Sequence, residues 1–167
     1  VQNITVQKCV FSRCYIGIIF ESSASAGTSQ QFTSTDCLFI GCDIGSIYIS
    51  GNGINRKIYN CTFVNFVRNA VIVQSGQTSG TSVTNCLCSG GNTALSTSSG
   101  VGIIENYNRF ISCTPRNNVS PSGANSVTGG VSGVDIGYGL LTGISNQQMF
   151  STILNSPNYN FGTTSGA

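Results

Sequence analysis

Apolar and polar residues alternate in short runs along the first two thirds of the chain, as in Asn3-Ile4-Thr5-Val6, Gln31-Phe32-Thr33-Ser34-Thr35 and Lys57-Ile58-Tyr59. Such a period of two predicts half-buried strands. Helices have little support, because β-branched residues and Gly dominate, no 3.6-residue period is sustained, and no capping box precedes an apolar run.

The strands recur in a pattern. Cys9-Val10-Phe11-Ser12-Arg13-Cys14, Cys37-Leu38-Phe39-Ile40-Gly41-Cys42, Cys61-Thr62-Phe63-Val64-Asn65-Phe66, Cys86-Leu87-Cys88-Ser89-Gly90-Gly91 and Asn108-Arg109-Phe110-Ile111-Ser112-Cys113 align, at intervals of 28, 24, 25 and 22 residues. The first four are followed by a turn, a second β-prone run (Ile16 to Phe20, Ile47 to Ile49, Ala70 to Val73, Thr93 to Ser96), a polar loop and a third short strand. Three strands per repeat joined by polar turns predict the coil of an all-β solenoid. We expect about five to six coils, with residues 1–120 as the coils and 121–167 as a degenerate last coil plus a capping or extended tail. Val127 to Leu141 is the candidate degenerate coil. The chain opens inside a strand without an initiator Met, which reads as a processed product or a piece of something longer.

With this repeat in view, the chain resembles the pectate-lyase-like superfamily of right-handed parallel β-helices over residues 1–120. The resemblance is carried by Asp36-Cys37-Leu38-Phe39, Asn60-Cys61-Thr62-Phe63 and, with Cys in place of Phe, Asn85-Cys86-Leu87-Cys88. It implies a single-stranded right-handed coil, and a location that is extracellular or on a virion surface. The superfamily includes phage tailspikes, surface adhesins, and polysaccharide lyases and hydrolases, so the resemblance specifies fold better than activity.

Only 7% of residues are charged, and the seven cations and five carboxylates are scattered. No basic cluster exists to track a phosphate backbone, so nucleic acid is not an expected partner. No apolar run reaches the roughly 20 residues of a membrane span. Surface polarity must come from Ser, Thr, Asn and Gln.

The eight cysteines fall mainly into two columns, Cys9, Cys37, Cys61 and Cys86 in one and Cys14, Cys42 and Cys113 in the other. Coils about 4.8 Å apart put stacked Cβ atoms beyond ordinary disulfide geometry, which favours free buried thiols packing as small hydrophobes. A ladder is a line rather than a point of convergence, and the chain has no His, so neither a metal nor a cofactor is expected.

Without His, Ser-His-Asp and Cys-His chemistry are excluded, leaving Glu21, Asp36, Asp43, Glu105 and Asp135. Glycoside hydrolysis needs two carboxyl groups about 5 to 9.5 Å apart, whereas Asp36 and Asp43 flank one strand. Asp43 can approach Arg68 and Asp36 can stack beside Asn60, but neither makes a second acid; Glu105 with Arg109 is the other concentration of charge. The adjacent Asp pair and Gly-His-Gly of polygalacturonase-like members are both missing, so no catalytic residue is assigned. The leading expectation is a non-catalytic structural or adhesive module of a virion fibre, tailspike or microbial surface protein. The alternative is a polysaccharide-degrading lyase or glycoside hydrolase.

Strand alternation suggests two kinds of partner. If the first Cys and the Phe of each motif point inward, Val10, Leu38, Thr62 and Leu87 point outward in one column, with Ile40 and Val64 in another. This stripe marks an interface in a homo-oligomer or larger assembly, or a face covered by a returning tail that carries Met149, Phe150, Ile153 and Leu154. Tyr15, Tyr48, Tyr59 and Tyr107, with the Asp43 and Arg68 pair, form the candidate surface for a polysaccharide, since phenol rings stack on sugars and hydrogen-bond their hydroxyls.

Overall fold

The computed structural model describes residues 2–22, 30–51, 55–74, 80–98, 102–119 and 125–128. The first coil holds β1 (Gln2–Gln7), β2 (Val10–Ser12) and β3 (Ile16–Ser22), and the second β4 (Gln30–Thr35), β5 (Leu38–Ile40) and β6 (Gly45–Gly51). The third holds β7 (Arg56–Tyr59), β8 (Thr62–Val64) and β9 (Asn69–Val73), and the fourth β10 (Thr81–Thr84), β11 (Leu87–Ser89) and β12 (Thr93–Thr97). The fifth holds β13 (Ile103–Asn106), β14 (Arg109–Ile111) and β15 (Thr114–Asn117), and β16 (Val127–Thr128) follows.

Every third strand stacks, giving sheet A (β1-β4-β7-β10-β13), sheet B (β2-β5-β8-β11-β14-β16) and sheet C (β3-β6-β9-β12-β15). All their pairings are parallel. The protein is a parallel β-solenoid. It makes about four turns rather than the five to six coils expected, because five motifs bound only four intervals and β16 is the sole described strand of a further coil. Most of the expected last coil and tail lies outside the described residues. Among the described residues, no helix is long and apolar enough to cross a membrane.

Sharp corners hold the three sheets at their angles. Lys8, Asp36, Asn60, Asn85 and Tyr107, between sheets A and B, have φ of 53° to 57°. Arg13, Gly41, Asn65, Gly90 and Ser112, between sheets B and C, have φ of 51° to 66°. Asn and Asp tolerate this left-handed conformation best among residues with a side chain, which explains their place in the motif. They also join coil to coil: Gln7 and Asn60 donate to the two oxygens of Asp36 at 3.4 and 3.3 Å, and Asn85 donates to Asn60 Oδ1.

Inside, like side chains stack on like. Phe11, Phe39 and Phe63 form a ring column at centroid spacings of 4.8 and 4.9 Å, nearly parallel. Ile47, Val71 and Leu95 from sheet C, and Ile58 and Val83 from sheet A, close the core, all fully buried. Volume is conserved along columns where residue type is not. Phe66 occupies the slot of Cys14 and Cys42, and the next residue up is Gly91, where any Cβ would run into the Phe66 ring.

The C-terminal end of the core closes with a polar network. Glu105 and Arg116 fall in register with the inward positions Val83 and Leu95 of the coil below, and their side chains pair there. Asn108 and Ser126 donate to the other Glu105 oxygen at 3.1 and 2.6 Å. Asn108, standing where earlier coils carry Cys, also donates to Val83 O and accepts from the Cys86 N–H, at 2.8 and 2.9 Å. The Arg116 guanidinium lies 5.1 Å from the Phe110 ring centroid. Glu105 thus pairs with Arg116 and not with Arg109, because alternation turns Glu105 inward and Arg109 out of sheet B.

Two stability changes follow. Glu105→Ala leaves the Arg116 guanidinium without its carboxylate and removes one acceptor each from Asn108 and Ser126, and should cost about 3 to 5 kcal/mol. Gly91→Ala should cost about 1 to 3 kcal/mol by overpacking, and Phe66→Cys in the same chain should recover only the part due to the ring, because the Phe66 carbonyl also stands in the way of the added Cβ. Urea unfolding midpoints measure both.

Candidate functional site

The corner between sheets B and C positions the polar part of the candidate surface. Successive coils there are tied by Ile44 N–H to Tyr15 O at 2.9 Å and by Arg68 N–H to Asp43 O at 2.9 Å. Tyr15, Asp43 and Arg68 therefore stack on consecutive coils. Arg68 Nε lies 3.6 Å from Asp43 Oδ1, with both side chains well exposed. An ion pair in that setting contributes little to stability, so these groups remain available to a ligand.

The adjoining outer face of sheet C supplies the apolar part. Ile19, Tyr48 and Ile72 share one outward column. Ile19 is 57% exposed and Tyr15 65%. Tyr48 Oη donates to Gln74 Oε1 at 2.7 Å, which fixes the ring along the coil axis. Tyr15 and Tyr48 lie four residues apart along the strand direction and one coil apart, hence about 14 Å. Tyr15, Ile19, Tyr48, Gln74, Asp43 and Arg68 form a shallow strip of ring faces, amide and charge.

The structure does not bring all four tyrosines together. Tyr59 ends β7 in the outward column between Thr35 and Thr84, and Tyr107 is a left-handed corner residue two coils further on. Both belong to the corner between sheets A and B, across the solenoid from Tyr15. Ile19 and Gln74 were missed in the sequence. Ile16 to Phe20 is almost continuously apolar, so alternation gave no sign of which residue faces out.

The outward positions of sheet B are mostly not open surface. Val10 is 45% exposed, but Leu38, Thr62 and Leu87 are 2%, 1% and 0% exposed, Val64 is buried and Ile40 partly so. All of these lie outside the core cluster. Met149, Phe150, Ile153 and Leu154 lie outside the described residues.

The four described carboxylates are widely separated. Asp36 and Asp43 occupy different corners of the second coil. Glu21 is in register with Ser50, seven residues and so ~23 Å along the chain from Asp43. Glu105 is buried in the lumen three coils above Asp36 and Asp43, about 14 Å along the axis. Among the described residues, no two carboxylates take the 5 to 9.5 Å spacing of glycoside hydrolysis.

All eight cysteines are free. In the first column each thiol donates to the carbonyl two residues earlier: Cys9 to Gln7, Cys37 to Thr35, Cys61 to Tyr59 and Cys86 to Thr84, at 3.2 to 3.4 Å. That bond adds a weak second donor to carbonyls that, at Thr35, Tyr59 and Thr84, already accept a backbone N–H from the coil below. Burial pushes the Cys61 and Cys88 thiols well up, and Cys113 to about 11. Cys37 is raised first by its hydrogen bond with Cys61 and then by burial. These groups are packing residues that hold their protons. Among the described residues, no cluster of three or more His, Cys, Asp or Glu could hold a metal ion.

No protein-family model, no curated protein and no solved structure matches the chain. The fold and its surface define a parallel β-solenoid without a described catalytic pair.

The thiols carry a pH signature. Unfolded cysteines ionise near 9.0 while Cys37, Cys61, Cys88 and Cys113 hold their protons to higher pH, so the unfolded chain binds fewer protons above that pH and stability falls as pH rises. Each such thiol removes up to about 1.4 kcal/mol per pH unit. Urea midpoints should be unaffected by the thiols below pH 8 and fall steeply above 9, with a shallower fall in Cys61→Ala. A thiol reagent at pH 8 should spare Cys37, Cys42, Cys61, Cys86 and Cys88 until the chain is unfolded.

Proposed function

We propose that this protein is a non-catalytic structural or adhesive solenoid module that displays a glycan-binding strip along the corner between sheets B and C and the adjoining face of sheet C. The observation that carries the reading is the alignment of Tyr15, Ile19, Tyr48, Gln74 and the Asp43 and Arg68 pair on neighbouring coils. The strip offers ring faces to sugar C–H groups and fixed donors and acceptors to hydroxyls, the two requirements of a carbohydrate surface.

The remote carboxylates favour binding over bond cleavage. The charge-poor exterior, built from Ser, Thr, Asn and Gln, suits an extended element of a larger extracellular or virion-surface assembly, where neutral hydrogen-bonding groups meet hydrated polymers. A place among the pectate-lyase-like β-helices agrees with the Asn/Asp-Cys-x-Phe repeat.

Screening on a polysaccharide panel tests the reading. Binding should appear for at least one neutral or acidic glycan, weaken at least tenfold in Tyr15→Ala and in Tyr48→Ala, and survive Tyr107→Ala. No reducing or unsaturated ends should be released on prolonged incubation. Turnover of any panel member would refute the non-catalytic part, and binding indifferent to Tyr15 and Tyr48 would refute the strip.

A further inference from the structure

The outer face of sheet B is covered by something the described strands do not supply. Leu38, Thr62 and Leu87 form one of its columns and are 2%, 1% and 0% exposed, while Val64, Ser89 and Ile111 in the other are 5 to 6% exposed. Each flanks an inward core residue of its own strand, Phe39, Phe63, Cys88 or Phe110, so alternation turns it away from the lumen. A sheet face that is dry in this way has a second layer packed on it.

Chain topology leaves few candidates for that layer. Residues 23–29, 52–54, 75–79 and 99–101 each join a strand of sheet C to the next strand of sheet A, along the edge of the prism opposite sheet B. Residues 120–124 join β15 to Asn125, whose N–H donates to Asn106 Oδ1 at the end of β13. Residues 129–167 follow β16, which pairs with β14 through Val127 opposite Arg109, at the head of the Leu38, Thr62 and Leu87 column.

We propose that residues 129–167 form the layer, returning along the outer face of sheet B as a strap. From β16 to β5 is four coil spacings, ~19 Å, which about six extended residues can span, so the segment is several times longer than the path requires. Its Met149, Phe150, Ile153 and Leu154 match the Leu, Val and Ile side chains of the face. Charge is matched as well. Arg109 Nε, on this face, is buried with no hydrogen-bond partner among the described residues, and the segment carries one carboxylate, Asp135, and no Lys or Arg. A stripe apolar enough to drive association is thereby used within the chain, as an outer hydrophobic layer beside the stacked rings. The contact expected at Leu38, Thr62 and Leu87 is an internal one, and it does not depend on the glycan strip.

Photoactivatable leucine tests this in the full chain. A diazirine analogue takes the place of Leu38, Leu87, Leu95, Leu140, Leu141 and Leu154, and irradiating a mixture of isotopically light and heavy chains separates contacts within a chain from contacts between chains. Leu38 and Leu87 should crosslink to residues 129–167 of their own chain, while Leu95, in the lumen, should crosslink only to the coils. Thiol reactivity at pH 8 gives a second readout. Thr62→Cys should be as unreactive as Cys61 and Cys86, and should react at least tenfold faster once Phe150→Asp and Leu154→Asp are added, with Cys61 and Cys86 still protected as a mark of intact coils. Crosslinks from Leu38 and Leu87 that reach only residues 2–128, or that join two chains, would overturn the proposal, as would a Thr62→Cys rate indifferent to Phe150 and Leu154 in intact coils. Should the substitutions unfold the coils, the crosslinks decide alone.

Discussion

The parallel backbone ladder between coils, repeating at about 4.8 Å, sets the terms for every side chain in this protein. A residue on an inward face has its counterpart directly above and below, so the core is a bundle of columns rather than a three-dimensional jigsaw. Flat rings suit that spacing, and Phe11, Phe39 and Phe63 stack at the ladder's own pitch. Asn and Asp suit it at the corners, where Asn60 accepts from Asn85 and donates to Asp36, and the Asp36 carboxylate accepts from the coils on both sides. Departures are compensated within a column, as Phe66 is by Gly91.

This constraint explains which parts of the structure could be read from the sequence. The motif from the first Cys to the second turn spans a fixed length with a left-handed residue on each side, so strands, inward positions and free thiols all follow from residue type and spacing. The ion pair of Asp43 with Arg68 and the contact of Asp36 with Asn60 were legible too, because coil-to-coil register converts sequence offset into distance. Glu105 was not. Charge suggested Arg109 as its partner, but alternation sends the two residues to opposite faces, and Arg116 becomes available only through a different sheet of the same coil. Outward columns were the least legible. Leu38 and Leu87 read as surface by alternation alone, yet alternation reports direction and not exposure.

Sulfur is used here as a structural element. A thiol is small enough for a column, apolar enough for a core, and still donates a weak hydrogen bond to the carbonyl two residues earlier. The same packing holds Cys37, Cys61, Cys88 and Cys113 in the protonated form. The four described carboxylates are dispersed with comparable consistency, Asp36 and Asp43 at two corners of the second coil, Glu21 near the end of β3 and Glu105 locked into the end of the lumen.

In every coil the two left-handed corners are five residues apart, while the whole repeat ranges from 22 to 28 residues. All of that variation is therefore confined to the remainder of the coil, chiefly the passage from sheet C to the next strand of sheet A. Two edges of the prism behave as a fixed spine and the third as an open margin. Natural variation that lengthens or shortens the chain can accumulate along that one margin without disturbing a column, so new protruding features would appear in a row on a single side of the molecule.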